Sequence, residues 1–178
     1  VEPTILVRSD GVAVACGNDR RGQCQLPELE QGHRYVQAAA GVEHTVLLRS
    51  NGQVVACGRN RSGQCDIPVL EEGVGYVQVS AGGEHTILLR SDGRAAACGK
   101  YLYGDEGLPV YQDGTFYVQV DAGMVHSVLL RSDGRAVACG WNAFGQCNLP
   151  AMSDGMTIQV AAPLPDLIVQ LFVEGGES

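Results

Sequence analysis

Lysine is almost missing from this chain: Lys100 is the only one, and the other eleven cations are arginines. Against 20 Asp and Glu, the 12 cations leave a net charge of −8. Phosphate binding is driven by clustered Lys and Arg, so nucleic acid is excluded as the main partner. No apolar run approaches the ~20 residues that cross a bilayer. That leaves no transmembrane segment, with peripheral association with a membrane complex still open. Catalytic signatures are lacking too: there is no Gly-x-Ser-x-Gly elbow, no phosphate-binding loop and no His-Glu-x-x-His. There is no Cys-x-x-Cys, hence neither a zinc ribbon nor a redox motif. The recurring acids Asp10, Asp92 and Asp133 sit in turn sequences. The expectation is a chain that is not an enzyme and holds neither metal nor cofactor. The chain starts at Val1 without a secretory-type segment, which reads as a processed chain or a fragment whose targeting peptide is not visible. Seven cysteines, an odd number, do not make a complete disulfide framework and point to a reducing intracellular compartment.

What is present is glycine, 24 residues without a low-complexity tract, which means many tight turns and hence β structure. Apolar residues make up 45%, enough for a core. The glycines fall in a repeat. Thr4–Gly11 (Thr-Ile-Leu-Val-Arg-Ser-Asp-Gly) recurs as Thr45–Gly52, Thr86–Gly93 and Ser127–Gly134, at an offset of 41 each time. Cys16-Gly17, Cys57-Gly58, Cys98-Gly99 and Cys139-Gly140 keep that offset, as do Pro27, Pro68, Pro109 and Pro150. The units are 1–41, 42–82, 83–123 and 124–164, and residues 165–178 begin a degenerate fifth copy or form a closing or extending strand.

Within a unit, Tyr76–Ala81 is strand-like with a Gly stop, and Thr86–Arg90 is a short apolar run. Ser-Asp-Gly then supplies hairpin chemistry, and Arg94–Cys98 returns. A short fourth strand is expected near Gly63–Ile67. Sheets this small cannot bury both faces alone, so they must stack. The fold expected is all-β, a β-propeller of about four antiparallel blades. Exposed sheet edges need a cover, which favours an arc of a larger propeller or a ring completed by another chain. Pairing of residues 157–161 back onto the first blade is the other arrangement.

The segments Ala81-Gly-Gly-Glu-His-Thr-Ile-Leu-Leu-Arg-Ser-Asp-Gly93, Ala97-Cys-Gly99, Asn60-Arg-Ser-Gly-Gln-Cys65 and Asn142-Ala-Phe-Gly-Gln-Cys147 resemble the repeat of the regulator of chromosome condensation family. The resemblance covers residues 1–164 and implies a propeller, commonly of seven blades. Cys stands here where the family usually has Trp before Gly (Cys16, Cys57, Cys98, Cys139). The founding member is an exchange factor for a small GTPase that works through a protruding wedge, and the strict 41-residue spacing leaves no insertion for one. Similar repeats occur in HECT-type ubiquitin ligases and in secreted propeller inhibitors of β-lactamases.

His44, His85 and His126 share one position before a strand. They read as structural residues serving each blade, a ring nitrogen bonding a neighbouring turn's backbone, rather than as metal ligands, because zinc needs three or four ligands converging on one point. Cys16/Cys24, Cys57/Cys65 and Cys139/Cys147 lie eight apart, while Cys98 faces Glu106. They read either as disulfides or as small apolar fillers. The segment between the glycines of Cys-Gly-x-x-x-x-Gly changes from unit to unit: Asn18–Arg21, Arg59–Ser62, Lys100–Tyr103, Trp141–Phe144. One rim therefore runs from basic (Arg20, Arg21, Arg59, Arg61, Lys100) to aromatic (Tyr101, Tyr103, Trp141, Phe144). Binding residues concentrate in loops, and Trp, Tyr and Arg dominate interfaces. The sequence therefore points to a non-enzymatic module binding protein partners through this rim, a peripheral or scaffold subunit of a larger assembly. The alternative is a regulatory propeller segment of a larger ubiquitin ligase or small-GTPase exchange factor.

Overall fold

Near-identical sequence units call for the same local structure at each copy, and among the described residues three form the same three-stranded sheet and the first a two-stranded one. The computed structural model describes residues 3–100, 108–109 and 114–150. The closing candidate 157–161 and the fifth copy 165–178 lie outside the described residues. Eleven strands follow one another: β1 (Thr4–Val7), β2 (Ala13–Cys16), β3 (Tyr35–Ala40), β4 (His44–Arg49), β5 (Val54–Gly58), β6 (Tyr76–Ala81), β7 (His85–Arg90), β8 (Ala95–Gly99), β9 (Tyr117–Ala122), β10 (His126–Arg131) and β11 (Ala136–Gly140). They form four separate antiparallel sheets: β1-β2, β3-β4-β5, β6-β7-β8 and β9-β10-β11, here blades 1 to 4. Among the described residues there is no helix. The expected fourth strand at Gly63–Ile67 is absent. That segment is a tight turn, with Asp66 N donating to Gly63 O (3.0 Å) and Ile67 N to Cys65 O (2.9 Å). Asn60 supplies the reason: its Oδ1 accepts from Cys65 N at 2.8 Å, which takes the amide a ladder would need.

The hairpins are built as the Ser-Asp/Asn-Gly signature dictates. Gly52 N donates to Arg49 O (3.0 Å) and Arg49 N to Gln53 O (2.8 Å), with Asn51 Oδ1 accepting from Gln53 N at 3.0 Å. In blades 2 to 4 the signature arginines are drawn inward, whereas Arg8 of blade 1 is exposed. Arg49 is 7% exposed and pairs with Glu30 at 3.0 Å, as Arg90 does with Glu71 at 2.8 Å. Glu30 and Glu71, which lie in the loops leading to β3 and β6, thus serve as counter-ions to the repeat itself. Between Tyr35 and Gln37, and between Tyr76 and Gln78, the register slips. The tyrosines turn inward, and each hydroxyl donates to a proline carbonyl eight residues earlier: Tyr35 to Pro27 (2.7 Å), Tyr76 to Pro68 (2.8 Å) and Tyr117 to Pro109 (2.8 Å). Tyr76→Phe is expected to lower stability by about 1 kcal/mol, since a partly buried acceptor loses its donor. The midpoint of urea unfolding reads this, and an unchanged midpoint contradicts it.

The core lies between blades. Val46 and Leu48 of blade 2 pack on Tyr76, Val79 and Leu88 of blade 3. Ile87 and Leu89 of blade 3 pack on Tyr117, Val120 and Leu129 of blade 4. All six residues of β4 are therefore buried, whereas those of β10 alternate buried and half-buried. A polar relay crosses the same junctions. Thr86 Oγ1 donates to Gln64 O at 2.8 Å, so His44 Nε2–H is the group that donates to Thr86 Oγ1 at 3.0 Å. His85 Nε2 meets Ser127 Oγ at 3.0 Å in the next junction. Both rings are fully buried. Burial, then the neighbouring histidine, pushes each pKa from 6.5 down to about 4, so both are neutral at pH 7. Their place against the chain is made by glycine: a Cβ on Gly41 would lie 2.3 Å from His44 Cε1, and one on Gly82 lies 2.2 Å from His85 Cε1.

Candidate functional site

The variable rim segments stand on one repeated loop frame. An Asp or Asn begins it: Asp19, Asn60 and Asn142 each accept, through Oδ1, from the amide five residues on (Cys24, Cys65, Cys147), all at 2.8 Å. A glutamine closes it from below, Gln23 Oε1 accepting from Arg21 N (2.8 Å), Gln64 Oε1 from Ser62 N (3.0 Å) and Gln146 Oε1 from Phe144 N (2.9 Å). Gln23 and Gln64 are fully buried, and their backbone carbonyls accept from Thr45 and Thr86 of the next blade at 2.7 and 2.8 Å. After blades 1 and 2 the frame is thus locked to the next blade, while after blade 4 it is held by its own Asn142 and Gln146 bonds. Docking on such a surface carries little loop-ordering cost.

A second repeated contact sets the chemistry of the strip beside these loops. The residue after each Cys-Gly donates its amide to the carbonyl of the residue before each strand-leading His: Arg59 to Glu43 (2.8 Å), Lys100 to Glu84 (2.8 Å), Trp141 to Val125 (2.9 Å). In blades 2 and 3 this brings opposite charges together. Arg21 meets Glu43 at 3.4 Å, Arg59 bridges Glu43 and Glu84 (3.6 Å to the latter), and Lys100 pairs with Glu84 at 3.3 Å. The Arg59 guanidinium holds the Glu43 carboxyl below its usual range. So an alternating ladder, Arg21–Glu43–Arg59–Glu84–Lys100, crosses three blades. Glu43 and Glu84, which look like ordinary turn residues in the sequence, are its anions.

Three of the five cations expected to make the rim basic are therefore neutralised in place. Arg20 and Arg61 are exposed and form no ion pair among the described residues. In blade 4 the ladder changes character: Val125 replaces the glutamate and Trp141 the cation. Trp141 packs edge-on against Phe144, with ring centroids 5.0 Å apart and planes at 87°. Both are exposed, Trp141 by 46% and Phe144 by 84%, and Met124 beside Val125 is 70% exposed. Met124 also ties the blades together, its carbonyl accepting from Gly83 N at 3.0 Å. Sequence reasoning had no cue for Met124, a single unrepeated residue outside the variable loops. Tyr101 and Tyr103 lie outside the described residues.

All seven cysteines are free thiols. Cys57 Sγ donates to Gln23 O (3.7 Å) and Cys98 Sγ to Gln64 O (3.4 Å), each across a blade junction. Burial, the first cause, lifts the Cys57 and Cys98 thiols to about 11 and that of Cys139 to about 12. They are protonated, unreactive packing groups. Cys16 is exposed on blade 1. No cluster of three or more His, Cys, Asp or Glu able to hold a metal occurs among the described residues, and no helix there is long and apolar enough to cross a membrane.

The sequence profile of the regulator of chromosome condensation (RCC1) repeat matches residues 35–64, 76–104 and 117–146, together half of the chain. The chain belongs to the RCC1 repeat family. The RCC1 repeats coincide with blades 2 to 4 and the loops that follow them. Among solved structures the RCC1 fold recurs at low identity. Yeast RCC1 (Prp20) bound to Kap60 superposes with a TM-score of 0.66, 20% identity, 79% of this chain and 42% of its own. Prp20p of Saccharomyces cerevisiae, described with its binding to Gsp1p and histones, gives 0.70, 20%, 85% and 46%. Human WBSCR16 gives 0.69, 16%, 83% and 48%. The chain spans less than half the length of each of these proteins. No curated protein matches it in sequence.

Proposed function

We propose that this chain is a non-enzymatic interaction module that binds a protein partner through the loop rim of blades 2 to 4. Trp141 and Phe144 form its anchor. One observation carries the reading: an exposed aromatic pair packed edge to face on a hydrogen-bonded loop frame, at the position where the repeat otherwise places a neutralised ion pair. Aromatic anchors surrounded by polar residues are the usual energetic centre of an interface. Met124 extends the apolar surface. Arg20 and Arg61 remain free for charge pairing. The ladder cations Arg21, Arg59 and Lys100 act mainly as a structured polar border, because a partner carboxylate must compete with Glu43 and Glu84. The yeast RCC1 structures, described with Kap60, Gsp1p and histones, support protein ligands as the general class. The module would serve as a peripheral or scaffold subunit. The second reading is a regulatory propeller segment of a larger ubiquitin ligase or small-GTPase exchange factor, to which the match with the RCC1 repeat points.

Affinity capture with the wild-type chain and with Trp141→Ala/Phe144→Ala tests the rim. Two truncated anchors are expected to weaken binding roughly 30-fold or more, while circular dichroism and melting stay unchanged because neither ring is buried. Retention of the same partner at undiminished affinity would remove the rim from consideration.

A further inference from the structure

The hairpin of blade 2 departs from the other three at one residue. Where they carry Asp10, Asp92 and Asp133, it carries Asn51. In each of the others the aspartate holds the signature arginine: Asp10 with Arg8 (2.7 Å), Asp92 with Arg90 (2.7 Å) and Asp133 with Arg131 (2.8 Å). In blade 3 the contact has two prongs, because Arg90 Nε also donates to Asp92 Oδ1 at 3.1 Å. Blade 2 has no such clamp. Arg49 Nη1 donates to Glu30 Oε1 (3.0 Å) and Nη2 to the Glu28 carbonyl (3.3 Å), but its buried Nε–H has no hydrogen-bond partner among the described residues. Where the repeat supplies a carboxylate, blade 2 thus supplies a carboxamide and leaves a buried donor unmet.

Asn51 is also placed to become that carboxylate. Of Asn18, Asn51, Asn60, Asn142 and Asn148, only Asn51 precedes glycine, whose amide nitrogen no side chain shields. Asn51 is exposed at the tip of its turn. Its Oδ1 accepts from the Gln53 amide at 3.0 Å, and its Nδ2 donates to Gln53 Oε1 at 3.1 Å. The first bond stabilises negative charge on Oδ1 when a nucleophile adds to Cγ. The nucleophile, Gly52 N, is restrained by one bond, to Arg49 O at 3.0 Å, and an exposed turn opens locally without unfolding the sheet. The aspartates of the other hairpins are carboxylates paired with arginine, which are poor electrophiles.

We propose that Asn51 is a site of spontaneous deamidation and that its aspartyl product completes the blade 2 hairpin. Gly52 N attacks Asn51 Cγ and bonds to it, the Cγ–Nδ2 bond breaks, and ammonia leaves with the proton of the Gly52 amide. The cyclic imide then takes up water, the sole co-reactant. Addition at Cγ gives aspartate. Addition at the backbone carbonyl carbon gives an isoaspartyl link, longer by one methylene. The aspartyl carboxylate accepts from Arg49 Nε as Asp92 does from Arg90, and the chain gains one negative charge at the opposite end of β5 from the rim. The site involves none of Met124, Trp141 or Phe144, so it stands or falls independently of the rim.

The folded chain, held at mildly alkaline pH and digested with trypsin at intervals, reads the reaction by mass spectrometry. Cleavage after Arg49 and Arg59 leaves residues 50–59, a peptide in which Asn51 is the sole asparagine. With time it is expected to give way to its aspartyl and isoaspartyl forms, while the peptides bearing Asn18, Asn142 and Asn148 stay unchanged. Asn51→Gln is expected to show no conversion over the same period. An Asn51 peptide that survives intact, or is lost no faster than that of Asn18, overturns the proposal. Tyr117→Phe in blade 4, which loses its bond to Pro109 O, shows whether the reaction belongs to the native hairpin. A reaction confined to the unfolded chain would run roughly fivefold faster in this less stable variant, and that acceleration overturns the proposal, whereas an unchanged rate is expected. Urea unfolding of Asn51→Asp tests the product. Its midpoint is expected above that of wild type at neutral pH, and the gain is lost as the pH falls through the carboxylate range, because only the ionised carboxyl bonds Arg49 Nε strongly. A midpoint equal to or below that of wild type overturns the completion of the hairpin.

Discussion

Lowering the pH from 6.5 to about 4 is expected to strip the chain of much of its stability before most of its carboxylates are protonated. The groups responsible are His44 and His85. Both are fully buried, and both have their pKa pushed from 6.5 to about 4, first by burial and then by the next histidine in the series. In the unfolded chain each imidazole takes a proton as the pH falls through 6.5, while in the folded chain it does not until about 4. Across that window the unfolded state binds more protons, so stability falls as the pH falls, levels off below the folded pKa, and is fully present above the unfolded one. Each histidine is worth on the order of 3 kcal/mol over this range, a large share of the ~5–15 kcal/mol of an ordinary domain. Two lowered acids, Glu43 and Asp92, act further down the scale, because their folded pKa values lie below the ordinary carboxylate range. Thermal melting as a function of pH measures the effect. His44→Gln/His85→Gln is expected to be less stable at neutral pH, since the relay to Thr86 and Ser127 is altered, yet nearly flat between 6.5 and 4. A wild type whose melting temperature does not move in that window would contradict the assignment.

Gly99→Ala is expected to be the most damaging small substitution in the described chain. The residue has φ +105°, and a Cβ there would lie 2.4 Å from Glu84 O, 2.7 Å from His85 Cα and 3.1 Å from Gln64 Cα. All three obstacles are backbone atoms, so no side chain can swing away. The left-handed conformation alone costs about 1 kcal/mol for alanine, and displacing the Glu84–His85 corner adds to it, for a total of roughly 3 kcal/mol or more. Gly58 is built the same way, with Glu43 O at 2.5 Å. Gly73 is the control: φ +83° but nothing within 4 Å, so its alanine variant carries the conformational cost alone. Urea denaturation of Gly99→Ala, Gly58→Ala and Gly73→Ala ranks them, and near-equal midpoints would show that the close approach does not matter. The corner at risk also carries the rim, since Lys100 follows Gly99 and donates to Glu84 O. Gly99→Ala is therefore expected to disturb the rim next to Lys100 as well as stability.

The strands were legible because each blade is a local object. Tyr76–Ala81, the Ser91-Asp92-Gly93 turn and the return through Ala95–Gly99 are contiguous in the chain, and alternation plus turn chemistry describes them. The rim loops were legible as loops for the same reason, and their change from Arg59 and Arg61 to Trp141 and Phe144 can be read from the letters. Which of their charges are free was not legible. Arg21 and Arg59 look alike in the sequence to Arg20 and Arg61, yet the first two are held by Glu43 and the second two are not. Glu43 lies 22 residues from Arg21 and 16 from Arg59, and only strand pairing and blade stacking bring them together. The strand expected at Gly63–Ile67 failed on a local competition between a ladder and the Asn60 side chain, which propensity does not weigh.

By itself, the sequence determined the period, the antiparallel blade, the glycine turns and the family, because a 41-residue repeat forces the same local solution at every copy. Only the tertiary structure decided how the copies differ in use. Stacking blade on blade buries His44 and His85, neutralises Arg21, Arg59 and Lys100, and leaves Trp141 and Phe144 in solvent. Burial and charge pairing belong to the spaces between blades, and those spaces arise from contacts some forty residues apart in the chain, such as His44 with Thr86.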